Sequence, residues 1–123
     1  MSDILDLDDI ILIVKNESTI CEVKTERGLP FKIKEQWATI GDDTRQWHTH
    51  INLEEIVAAK FVKEPSSDEK FRYSVRFYDS KDNVCLKAHF AKMYDNNGCI
   101  INERLATYEN LFLKHGSKDT ISF

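Results

Sequence analysis

Between Phe71 and Ala91 the side chains alternate with period two, and no other stretch limits the fold so tightly. Phe71, Tyr73, Val75 and Phe77 interleave with Arg72, Ser74, Arg76 and Tyr78. After Asp79-Ser80-Lys81-Asp82-Asn83, the residues Val84, Leu86, Ala88 and Phe90 interleave with Cys85, Lys87, His89 and Ala91. Successive side chains of a strand leave opposite faces, so each run builds one apolar face and one polar face. The polar cluster between them has the chemistry of a hairpin turn. An antiparallel sheet with one face buried follows.

The rest of the chain extends this sheet. Ile10 to Lys15 and Thr19 to Thr25 flank Asn16-Glu17-Ser18 and predict a hairpin, after which Arg27-Gly28-Leu29-Pro30 is a break. Gln36 to Ile40 and Trp47 to Ile51 predict two strands joined by the polar turn Gly41-Asp42-Asp43-Thr44. Asn52-Leu53-Glu54-Glu55 predicts one capped turn, and Ile56 to Lys63 a strand that Pro65 ends. From Asn102 the period changes: Leu105, Tyr108, Leu111 and Phe112 recur at three and four, predicting an amphipathic helix that stops near Gly116. The acidic first nine residues predict a frayed end or a single weak turn. The expected class is α+β, mainly antiparallel sheet of about seven strands with a C-terminal α-helix, and residues 1–123 form one domain.

Composition narrows the function. Seventeen basic residues are scattered among 21 acidic ones, for a net charge of −4, so no basic stripe exists to follow a phosphate backbone and nucleic acid is not an expected partner. The acidic start lacks the features of a leader, and the run Ile10 to Val14 is far short of a membrane span. Three widely spaced cysteines, Cys21, Cys85 and Cys99, write neither a disulfide framework nor a zinc knuckle, which points to a reducing cytoplasm. Four glycines form no phosphate loop, and no nucleophile elbow is present.

Chemistry concentrates in Gln46-Trp47-His48-Thr49-His50. In a strand, His48 and His50 leave the same face, roughly 7 Å apart at Cα. Imidazole is the commonest metal ligand and an axial ligand to haem iron, although two histidines on a wet strand face are also ordinary surface. Arg72 and Arg76 share a face that suits a carboxylate but equally reads as the solvated side of a strand. His89 has no evident partner and is expected to be exposed; His115, in the last helical turn, suits the helix dipole.

Four stretches, in this order, resemble the bacterial haem-utilisation proteins of the ChuX/HutX type and the repeated HemS-type haem-handling domain. Residues 13–23, Ile-Val-Lys-Asn-Glu-Ser-Thr-Ile-Cys-Glu-Val, are similar to the family's first hairpin. His50-Ile51 with Asn52 to Ile56 resembles its His-apolar segment. Phe61-Val62-Lys63-Glu64-Pro65 resembles its aliphatic-basic-Pro strand end, and Phe77-Tyr78-Asp79, Leu86-Lys87 and Phe90-Ala91-Lys92 its closing hairpin. The resemblance implies a cytoplasmic, homodimeric haem-binding protein. It places the family's haem-binding histidine on His50, which would be the iron (metal) ligand, with His48 beside it. A second haem-binding histidine of the family's first hairpin is Lys15 here, and a hydrated ammonium suits a haem propionate rather than iron. The family's glycine before the basic residue of the closing strand is Ala91. The helical part that precedes the family's hairpin is missing, and with it the segment that carries the HemS-type axial histidine.

Haem needs an apolar surface, an imidazole and cations for its propionates. Trp37, Tyr94 and Phe90 are candidate porphyrin contacts; Lys15, Lys92 and Arg45 are candidate propionate partners. Three readings stand: a haem carrier or buffer, a family member without haem that serves as an interaction or regulatory module, and an enzyme that degrades haem or uses a metal at His48 and His50. The last would need a third metal ligand or an enclosed distal pocket.

Overall fold

The computed structural model describes residues 2–25, 30–41 and 47–123, apart from the side chains of Ser2 and Leu5. Among these described residues nine strands and two α-helices succeed one another: α1 (Ser2–Leu5), β1 (Ile10–Lys15), β2 (Ile20–Thr25), β3 (Phe31–Lys34), β4 (Trp37–Gly41), β5 (His48–Asn52), β6 (Ala58–Pro65), β7 (Phe71–Tyr78), β8 (Val84–Phe90), α2 (Asn102–Lys114) and β9 (Thr120–Ser122). They form two antiparallel sheets, one of six strands in the order β2-β1-β8-β7-β6-β9 and one of three in the order β3-β4-β5. The α+β class is as the alternation predicts. Two strands exceed the expected seven, β3 and β9; both are short, and each is defined mainly by the neighbour it pairs with.

The two central hairpins follow their turn chemistry. Asp79 Oδ1 accepts from the backbone N–H groups of Lys81 and Asn83 at 2.9 Å each, which closes the turn between β7 and β8. Asn16 Oδ1 does the same for Ser18 and Thr19 between β1 and β2. Asn52 caps a single 3-10 turn, Leu53–Glu55, by accepting from Glu54 N–H at 3.2 Å.

One face of the six-stranded sheet carries Ile10, Leu12, Ala59, Phe61, Tyr73, Val75, Phe77, Leu86, Ala88 and Phe90, all buried. The partner layer this face needs comes from within the chain. Tyr108 of α2 meets Phe61, Tyr73 and Phe90 edge-on, with ring centroids 5.0 to 5.8 Å apart, a favoured aromatic geometry. Ala38, Ile40 and Ile51 bring the small sheet into the same core. Arg104 of α2 ties the layers together by donating to three backbone carbonyls, Asp8 at 2.9 Å, Asp9 at 3.1 Å and Ala91 at 3.0 Å.

The opposite face of the large sheet is less wet than its composition suggests. Across it run Ile11, His89, Ser74 and Val62 in one cross-strand row. Ser74 is buried and the other three are half-buried, so the expectation of an exposed His89 is corrected. Long neighbours on adjacent strands cover these positions: Arg76 donates to Glu64 at 2.9 Å, and Lys87 lies 3.8 Å from the same carboxylate. Burial pushes the His89 imidazole below the usual histidine range, and the Lys87 and Arg72 charges push it further.

Candidate functional site

The small sheet holds the two histidines where alternation puts them. Antiparallel register sets Trp37 opposite Asn52, Thr39 opposite His50 and Gly41 opposite His48. On the other flank Lys34 is opposite Trp37 and Lys32 opposite Thr39. Cross-strand partners share a face, so Lys32, Lys34, Trp37, Thr39, His48 and His50 all leave one side of the sheet. The other side supplies Ala38, Ile40 and Ile51 to the core. Burying one side forces the outward side to display whatever the alternate positions hold.

His48 and His50 lie side by side, ring centroids 6.1 Å apart and planes within 17°. Thr39 Oγ1 stands 2.9 Å from His50 Nδ1. His50 Nε2 has no hydrogen-bond partner among the described residues and faces outward on an exposed residue. A Cβ at Gly41 would lie 2.8 Å from His48 Cδ2 and 2.9 Å from the Trp47 carbonyl oxygen, so a glycine is what leaves room for the His48 ring. Trp37 remains 43% exposed, an apolar plate two residues along the same strand face from Thr39.

These features fit an iron-bound imidazole. Coordination through Nε2 would require that nitrogen to be unprotonated; the proton would then sit on Nδ1 and be donated to Thr39 Oγ1. Two rings projecting side by side from one strand would reach a bound haem from the same side, so His50 or His48, and not both, would hold its iron. Among the described residues no group of three His, Cys, Asp or Glu side chains is arranged to hold a metal ion by itself.

The remaining sequence candidates lie elsewhere. Lys15 ends β1 in the large sheet; burial chiefly, then neighbouring cations of which Lys15 is the least, lowers the Lys87 pKa. No hydrogen bond or ion pair links it to His50. Lys92 follows β8 and pairs with Asp9 at 3.0 Å. Phe90 is 1% exposed within the core and unavailable as a porphyrin contact, which corrects that expectation. Tyr94 spends its hydroxyl on β7, donating to Phe71 O at 2.8 Å and accepting from Phe71 N–H at 3.1 Å. Arg45 lies outside the described residues. Arg72 and Arg76 engage Asp68 and Glu64. Sequence reasoning missed Thr39, Lys32 and Lys34, because their relation to His50 runs through cross-strand register. The same alternation that pairs His48 with His50 carried the signal.

A protein-family model described only as “-like” matches residues 1–116. No curated protein sequence matches the chain. Among solved structures, ChuX superimposes with a TM-score of 0.75 at 12% identity, covering 92% of this chain and 68% of ChuX; a second ChuX structure, described as a heme-binding protein, gives 0.74. A protein from Agrobacterium tumefaciens matches with a TM-score of 0.72 at 22% identity, over 89% of this chain and 61% of its own. Holo-PhuS, a heme-binding protein from Pseudomonas aeruginosa, gives 0.65 at 16% identity, over 88% of this chain and 30% of PhuS. The chain has the fold of the ChuX proteins, and of the HemS-like PhuS, as the resemblance of its four sequence stretches implies. It spans about two thirds of the length of ChuX, and at these identities the structural likeness speaks for the fold. No helix among the described residues is long and apolar enough to cross a membrane.

Proposed function

We propose that this protein binds haem through His50 and acts as a haem carrier or buffer in haem-iron utilisation in the cytoplasm. The observation that carries the reading is His50 itself: an outward imidazole whose Nδ1 is fixed by Thr39, leaving Nε2 for iron. His48 and Trp37 flank it with flat surface, and Lys32 sits in register two strands away, on the order of 10 Å at Cα. Bound haem would supply a Lewis-acidic iron for the imidazole and two propionates for cations. Lys32 and Lys34 extend from the same face toward such carboxylates. That haem is bound by ChuX and PhuS, proteins of this fold, supports the same reading.

Hemin titration of the purified protein tests it. A shifted Soret band at about one haem per chain is expected, and it should be lost or strongly perturbed in His50→Ala and less so in His48→Ala. Equal spectra for the wild type and His50→Ala would overturn the ligand assignment. A second reading, a module that keeps the fold without haem, draws on the exposure of both imidazoles: cofactor sites usually enclose most of their ligand. Failure of the wild type to shift the Soret band would favour it.

We also propose a homodimer.

A further inference from the structure

A cleft of about 210 Å³ opens between the turn that joins β6 to β7 and the segment that follows β8. Lys70, Arg72 and Lys92 line it together with His89, against a single lining carboxylate, Asp68. In a chain of net charge −4 such a concentration of cations needs an explanation.

Both rims are fixed. On one, Ser66 N–H donates to Lys70 O at 2.9 Å and Glu69 N–H donates to Ser66 O at 3.1 Å. On the other, Ala91 N–H donates to Asp9 O at 2.9 Å, and Ile101 N–H donates to Met93 O at 2.8 Å. The cations are incompletely neutralised. Asp9 pairs with Lys92 from outside the cleft at 3.0 Å. Asp68, whose carboxyl is held below its usual range chiefly by the Ser66 hydroxyl, is the only ion-pair partner of Arg72 among the described residues, and at a long 3.9 Å. Lys70 has no carboxylate partner among the described residues; its ammonium lies 5.3 Å from the centre of the Tyr94 ring. His89 faces Lys87 on its own strand and Arg72 on β7, with Glu22 and Glu64 the acids that bear on it.

We propose that this cleft binds a small oxyanion, a phosphate or carboxylate group, held by Arg72 and Lys70 with Lys92 at the far rim. A planar guanidinium beside an ammonium across a pre-formed gap suits such a group, since the anion relieves the repulsion among the cations and gains charge-assisted bonds. The site stands apart from the small sheet and does not depend on the haem reading.

The test is a titration with inorganic phosphate, and separately with propionate, at constant ionic strength set by chloride, followed by NMR of the Arg72 and His89 side chains. Saturable shifts at both residues are expected, and the tighter of the two anions names the class of oxyanion. Arg72→Ala should weaken binding at least about tenfold, the loss of one charge-assisted bond, while Arg72→Lys should keep part of it; Lys70→Ala is a second, independent variant. His50→Ala should bind as the wild type does, so a failed haem experiment leaves this result readable. Shifts that grow without saturating for both anions, or equal affinity in wild type, Arg72→Ala and Lys70→Ala, would overturn the proposal.

Discussion

Replacing Thr39 with valine isolates the bond on which the iron-ligand assignment turns. Valine keeps the β-branched shape that strands favour and removes the hydroxyl 2.9 Å from His50 Nδ1. Without it, Nδ1–H loses its acceptor, and the ring loses both its orientation and its preference for the tautomer that leaves Nε2 unprotonated. A neutral hydrogen bond contributes about 0.5–1.5 kcal/mol net, which corresponds to roughly a twofold to tenfold change in affinity. Partners behind a metal ligand reach about 10–100-fold in enclosed sites. His50 is exposed, so water can take the place of the threonine hydroxyl and the lower range applies. Hemin titration should therefore give about two- to tenfold weaker binding for Thr39→Val, and Thr39→Ser, which restores the hydroxyl, should recover most of it. Wild-type affinity in Thr39→Val, or an equal loss in Thr39→Ser, would refute the argument that Nδ1 is the anchored nitrogen.

Lys15→His should leave the haem spectrum without a second nitrogen ligand, because Lys15 stands on the large sheet and His50 on the small one; a conversion to a low-spin, two-histidine spectrum would show that the two positions share a site. Arg104→Ala removes three bonds to backbone carbonyls and should cost about 2–3 kcal/mol, a fall in Tm of roughly 10 °C by calorimetry, with Arg104→Lys restoring less than half. Burial pushes the Tyr108 phenol up to about 12 from 10.0. Its neutral form is favoured in the fold, so its contribution is complete below pH 10 and drains away as pH rises toward about 12; denaturant titrations of Tyr108→Phe should show a shallower alkaline loss than the wild type. Self-association should appear in light scattering as twice the 14.3 kDa chain mass, and a monomer mass at all working concentrations would remove the dimer.

Much of the fold was legible because burial leaves a mark on sequence. Strand β7 begins and ends where the alternation does, and α2 runs from Asn102 to Lys114 with Tyr108 and Leu111 buried as the three-and-four spacing requires. Strand β3 was invisible for the converse reason. Lys32, Ile33 and Lys34 are exposed, so only pairing with β4 marks it, through a tight turn in which Glu35 takes a φ of 56° that glycine or asparagine would have signalled. Strand β9 exists through three residues paired to β6. At the site, His48 and His50 were readable from two-residue spacing, whereas Thr39 and Lys32 join them only through non-local register. The depth of His89 was hidden too. Whether the polar side of a strand is wet depends on the reach of Arg76, Lys87 and their neighbours.

The division into two sheets also bears on how such a protein changes over evolutionary time. Among the described residues no backbone hydrogen bond crosses from β3-β4-β5 to the six-stranded sheet, and the outward residues His48, His50 and Trp37 contribute little to the core that Ala38, Ile40 and Ile51 complete. Mutations on that outward face are therefore nearly free of folding consequences, and if the proposed ligand binds there, selection on them answers chiefly to its chemistry. A lineage can exchange, gain or discard the imidazole pair while the core beneath stays under its own separate constraint, so proteins that superimpose closely are at liberty to differ in what that face recognises.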